Sequence, residues 1–253
     1  MEPRQPSRSP GFFPFWPLLA RLVGATLLAA GVTTIWESRL ASHTDIYLSE
    51  MGASDAPTPL LFNSALLAIA LGGCLVAIGR SGIRSGVRWL GAWSISATLV
   101  FACLSIALAS RVTCSPGCPV PFTSGSTVAD FVHTLAATLG FAAVGLAIIQ
   151  AAYAHSLRPL FAVSIASGTL IILASGVGGL LSVFRFRADL GGWLELAAAT
   201  VALLWVIVFA LARIAPPPAP PAPAALAALA APRALIQAES PAMDASSTAT
   251  HLS

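Results

Sequence analysis

Six continuous apolar stretches divide the chain, at about Trp16–Trp36, Thr58–Gly79, Trp89–Ala109, Val128–Tyr153, Leu160–Phe184 and Leu190–Ile214. Each comes close to the roughly 20 residues a helix needs to cross a hydrocarbon core about 30 Å thick. None alternates apolar and polar positions over about 10 residues, as a membrane-barrel strand does. Without water the backbone must satisfy its own hydrogen bonds, so runs of this kind predict helices. The expected fold is all-α: a polytopic membrane protein with a six-helix transmembrane bundle over residues 16–214. A short N-terminal segment, 1–15, precedes it, and a tail, 215–253, follows.

Composition agrees. Charged residues are 9% of the chain and hydrophobic residues 57%, against about 25% charged in a soluble domain. The net charge of +3 does not point to nucleic acid, since there is no Lys and the Arg residues are scattered. A nucleic-acid surface gathers its charge on one face. Arg4 and Arg8 before the first stretch resemble the start of a signal peptide. The apolar run is longer than a signal core and no clear cleavage site closes it, so a retained first helix is expected.

Arginine also predicts orientation, because cytoplasmic loops are enriched in it. Arg4, Arg8, Arg80, Arg84, Arg88, Arg158, Arg213 and Arg233 fall on the side of the termini. Arg39, Arg111, Arg185 and Arg187 fall on the other, and Arg21 lies within the first stretch. Both termini are therefore expected in the cytoplasm. The acids lean the opposite way, with Glu37, Asp45, Glu50, Asp55, Asp130, Asp189 and Glu195 on or just below the outer side. The outer links, about 37–57 and 110–127, are also the long ones. Long loops on a compact scaffold often carry function. The Pro-rich start of the tail, Pro216–Pro223, favours an extended spacer. Residues 215–253 are expected to form a disordered Pro/Ala-rich cytoplasmic tail.

Several outer residues have two readings. Cys114 and Cys118 stand in Cys-Ser-Pro-Gly-Cys, where Pro-Gly suits a type II turn and an oxidising exterior permits a disulfide. The rival is half of a metal site, but no second Cys pair completes it, and no metal is assigned. Cys74 and Cys103 read as packing residues. Asp130 and His133 share one face of the fourth helix. Thr127 and Asp130 fit a capping box. His133, a turn inside, serves either function or a hydrogen bond to a neighbouring helix. Glu195 needs a partner, and Arg185 or Arg187 is the candidate. Ile46, Tyr47, Leu48 and Met51 around Glu50 suit a short helix on the membrane surface. Asn63 also needs a partner. Ser175 and Gly179 fit a small-xxx-small helix contact.

Three segments together resemble a known family: Tyr47-Leu-Ser-Glu-Met-Gly-Ala53, Cys114-Ser-Pro-Gly-Cys118 followed by Asp130-Phe-Val-His133, and the stretch from Arg185 to Glu195. They resemble the bacterial membrane family catalogued as domain of unknown function 998, over roughly Leu18–Ala212. The resemblance implies a six-helix bundle in a bacterial plasma (inner) membrane. It carries no activity with it.

Two functions fit these residues. In the first, an outer pocket walled by Glu50, Asp130, His133, Arg185 and Glu195 holds a lipid headgroup, a lipid-linked ligand or a membrane-protein partner. That makes the chain a non-catalytic binding or accessory protein with no cofactor. In the second, the chain is an intramembrane hydrolase of lipid or lipid-linked substrates at the outer leaflet. His133 would then be a base or metal ligand, with Glu50, Asp130 and Glu195, or His43 and Asp45, completing the site. Whether it is an enzyme, and which residues would be catalytic, stays open. A transporter ranks lower, because the middles of the spans lack charge.

Overall fold

The computed structural model describes residues 15–42, 46–184 and 186–213. Among these it forms six α-helices and no strand: α1 Trp16–Ala41, α2 Pro59–Gly79, α3 Ile95–Arg111, α4 Val128–Ala152, α5 Phe161–Val183 and α6 Ala188–Leu211. Short 3-10 turns occupy Ser49–Gly52 and His155–Leu160. Five helices are long and apolar enough to span a membrane. The 17 residues of α3 stand at the lower end of the usual range of about 17–25. The cytoplasmic segment and the disordered tail expected from sequence lie outside the described residues, apart from Phe15.

The third span begins later than its apolar run. Ser94 caps α3 by accepting the Ala97 amide at 3.1 Å, a favoured role for Ser. The preceding Trp89–Trp93 stretch is a tucked loop. Gln150 of α4 holds it, its side-chain amide donating to the carbonyls of Leu90 at 2.9 Å and Trp93 at 3.2 Å. Trp89 and Trp93 stay exposed, as aromatic rings at a membrane interface do.

Each helix packs on its chain neighbours, and α6 returns against α1, which closes a ring. The helices alternate in direction, so α1 begins and α6 ends at one end of the bundle, the near end. The closest approach joins α1 to α2. A methyl on Gly24 would sit 2.6 Å from the Gly72 carbonyl oxygen, so only glycine permits this spacing. Between α5 and α6 the contact residue is Gly178, which faces Leu194 and Gly191, while Gly179 opens onto free space. The small-residue seam thus runs one position earlier than the Ser175/Gly179 spacing suggests.

Buried polar pairs fix the closure. Trp36 donates to Thr200 Oγ1 at 3.1 Å, joining α1 to α6. Trp205 donates to Ser164 Oγ at 3.0 Å, joining α6 to α5. At the near end, buried Arg80 donates to the carbonyls of Ala210, at 2.9 Å, and Ala212. A cation there satisfies the last carbonyls of α6 and complements its dipole. An apolar cavity of about 80 Å³ is bordered by Leu28, Ile69, Leu99 and Val206.

Candidate functional site

The far end of the bundle carries the loop between α1 and α2, the loop between α3 and α4, and the turn between α5 and α6. Two acids shape the first of these. Glu195, in the second turn of α6, accepts the Leu48 amide at 2.9 Å. Glu50 accepts the Tyr47 amide at 3.1 Å. The two carboxylates thus serve adjacent backbone groups. Arg39, buried at the end of α1, donates to the Ile46 carbonyl at 3.2 Å and lies over the Trp193 ring at 4.8 Å. Asn63 finds its partner here, donating to the Gly52 carbonyl at 3.0 Å.

This loop does not lie on the membrane surface as a short amphipathic helix. Tyr47 and Met51 are buried. The chain descends because Gly191 and Gly192 leave α6 bare where the loop crosses it. A methyl on Gly192 would meet the Ile46 carbonyl oxygen, and one on Gly191 the Tyr47 ring. With its amides held by acids, the segment docks on the bundle instead of on lipid.

Asp130 organises the second loop. It is fully buried. Its carboxylate accepts from the Ser115 amide at 2.6 Å, Ser115 Oγ at 3.1 Å, the Thr127 amide at 2.6 Å and Thr127 Oγ1 at 2.7 Å. The Thr127–Asp130 capping box is complete. The same carboxylate therefore ends one loop and starts α4. Cys114 and Cys118 are joined in a disulfide. Gly117 and Cys118 both adopt positive φ, at 70° and 39°, which closes the small ring.

His133 is 3% exposed. Its Nδ1 lies 2.9 Å from the Ala109 carbonyl and 2.8 Å from that of Val112. Carbonyls only accept, so Nδ1 carries a hydrogen. The hydrogen bond to a neighbouring helix is therefore present, at the end of α3. A ring nitrogen of His133 and the sulfurs of Cys114 and Cys118 lie within 4.8 Å of one another.

The expected pocket residues thus form two groups. Glu50 and Glu195 meet at the first loop; Asp130 and His133 meet at the second. The groups adjoin where Cys114 Sγ lies 3.7 Å from the Ser49 carbonyl oxygen. Arg185, His43 and Asp45 lie outside the described residues. Arg187 pairs with Asp189 at 3.0 Å, and that hydrogen bond raises the Arg187 guanidinium above its ordinary value. The partner found for Glu195 is a backbone amide. Sequence reasoning did not choose Arg39, Ser115 or Trp193 as site residues. Arg39 entered only an orientation count, and Ser115 only as part of Cys-Ser-Pro-Gly-Cys. The Gly-Gly step before Trp193 was the available signal that something rests on α6.

Helices of this length around a closed ring define a polytopic helical membrane protein. The profile of the family described as "Protein of unknown function (DUF998)" matches residues 22–212, and the chain belongs to that family. Comparison with curated proteins and with solved structures finds no match.

Proposed function

We propose that this is a non-catalytic binding or accessory protein of the bacterial plasma membrane, with both termini in the cytoplasm. Its far end faces outward and docks a lipid headgroup or a segment of a membrane partner. One observation carries the reading: the candidate acids and His133 bond to loop backbone. Asp130 takes four hydrogen bonds, Glu195 and Glu50 hold adjacent amides, and His133 holds two carbonyls. Such groups build a shaped surface. Hydrolysis asks more of the carboxylates and of any metal: a base in reach of a water, and about three protein ligands with an open position.

The surface so built offers apolar contact as well as polar backbone. Phe122 is 89% exposed, is held at φ 69° and packs tilted against Phe131, with ring centroids 5.3 Å apart. An exposed aromatic at the rim suits a ligand that is part lipid or part peptide.

Native mass spectrometry of gently released protein, with and without a chelator, tests the reading. A retained lipid or protein without metal supports it and identifies the ligand class. A stoichiometric divalent metal that His133→Ala loses overturns it in favour of the lipid hydrolase.

A further inference from the structure

The docking surface does not use the chemistry beneath it. The Cys114–Cys118 bond is asymmetric in access: Cys114 is 2% exposed, while Cys118 is only half-buried. The backbone of Cys118 stands at φ 39°, a conformation that non-glycine residues hold at a cost and that gathers at functional sites. His133 brings a ring nitrogen within 4.8 Å of both sulfurs. Its Nδ1–H is engaged by Ala109 and Val112, so Nε2 is the ring nitrogen at which a proton could be taken up. Cys114 Sγ lies 3.7 Å from the Ser49 carbonyl oxygen. In the disulfide that sulfur has no hydrogen to donate; as a thiol it has one, and the acceptor is already in place.

We propose that Cys114, Cys118 and His133 form a thiol–disulfide exchange site, whose substrate is a cysteine thiol of a protein or of a small molecule. A substrate thiol gives its proton to His133 Nε2 as its sulfur attacks Cys118 Sγ. A new sulfur–sulfur bond forms there and the Cys114–Cys118 bond breaks. The electron pair leaves on Cys114 Sγ, which takes the proton back from Nε2 and donates to the Ser49 carbonyl. A second substrate thiol then attacks the substrate sulfur of the mixed disulfide. It releases an oxidised substrate disulfide and the Cys118 thiolate, and the second thiol's proton goes to Cys118. Two thiols are oxidised and one disulfide is reduced, so the step is balanced and stoichiometric.

The geometry assigns the roles. The more exposed cysteine is the one attacked, and the sulfur of the buried one leaves, the central and leaving positions of exchange. Strained or exposed disulfides are the labile ones. The inference does not depend on which ligand the outer surface docks, because a small thiol tests it.

The full-length protein in nanodiscs is incubated with reduced glutathione, and separately with reduced, denatured ribonuclease. The cysteines are then read by alkylation and peptide mass spectrometry. Reduction of the folded protein is expected, with the mixed disulfide on Cys118 and none on Cys114. Cys114→Ser leaves Cys118 as a lone thiol and is expected to take up that adduct, and hold it, only from oxidised glutathione. Reaction with glutathione alone identifies a small-thiol site; faster reaction with the protein identifies a protein-thiol site. His133→Ala is expected to slow reduction on the order of 10², and free imidazole to restore it, which a merely structural histidine would not allow. If that variant does not fold, the wild type and Cys114→Ser decide. A disulfide that both thiols leave intact until the bundle unfolds overturns the proposal. So does a reduced pair that binds Zn²⁺ and forms no mixed disulfide.

Discussion

The Glu195 carboxylate, in the second turn of α6, accepts the backbone amide of Leu48 at 2.9 Å, and so pins the first far-end loop to the last helix. A buried amide left without an acceptor costs about 1–3 kcal/mol. Glu195→Ala is therefore expected to destabilise the protein by about that amount. Glu195→Gln keeps an acceptor oxygen at the same reach and is expected to lose less than half as much. Thermal unfolding in detergent measures both. Equal losses for Gln and Ala would mean that the charge, and not the acceptor, is what the site needs.

Asp130 serves two partners from one buried position, the disulfide loop through Ser115 and the start of α4 through Thr127. Asp130→Asn keeps the shape and removes the charge. Hydrogen bonds to charged groups contribute about 1.5–3 kcal/mol, so a loss on that scale is expected, with faster amide exchange across residues 113–127. Hydrogen-exchange mass spectrometry localises the effect. Exchange confined to α5 and α6 would contradict the assignment.

How much of this was legible depends on which force decides each feature. The helices were readable because continuous apolar length has one solution in a bilayer. The disulfide and the Thr127–Asp130 box were readable because both are set by residues three or four apart. The start of α3 was not, because Trp89–Trp93 is apolar enough to pass for helix; Arg84 and, about 60 positions on, Gln150 hold it as a loop. The burial of Tyr47 was missed for the same reason, since it depends on Gly191, Gly192 and Glu195. The Ser175/Gly179 pattern named the right helix but not the right face: one position is about 100° of turn, and α6 packs on Gly178 while Gly179 faces open space.

The descent of the first loop gives a sharp steric test. A methyl on Gly192 meets a backbone oxygen, that of Ile46, and not a flexible side-chain end that could swing away. Gly192→Ala is expected to cost about 1–3 kcal/mol and to lift residues 46–52 from the bundle. Limited proteolysis of the full chain should then cut in that loop at least several-fold faster. Gly179→Ala, on a glycine that faces open space, is the control and is expected to leave cleavage unchanged. Equal behaviour of the two variants would show that the loop does not rest on α6.

Orientation is the remaining prediction, and the arginines decide it. The near end gathers Arg80, Arg84, Arg88, Arg158 and Arg213, while the far end has Arg39, Arg111 and Arg187. Arg39 and Arg187 are already engaged, one over Trp193 and the other with Asp189. Positive charge therefore lies more heavily at the near end, which is the end expected in the cytoplasm. A fluorescent protein fused after Ser253 should fold and fluoresce, and alkaline phosphatase at the same point should stay inactive. Phosphatase inserted in the second loop, near Thr123, should be active. The reverse pattern would place the disulfide in a reducing compartment, where such bonds rarely persist, and would put the docking surface on the cytoplasmic face.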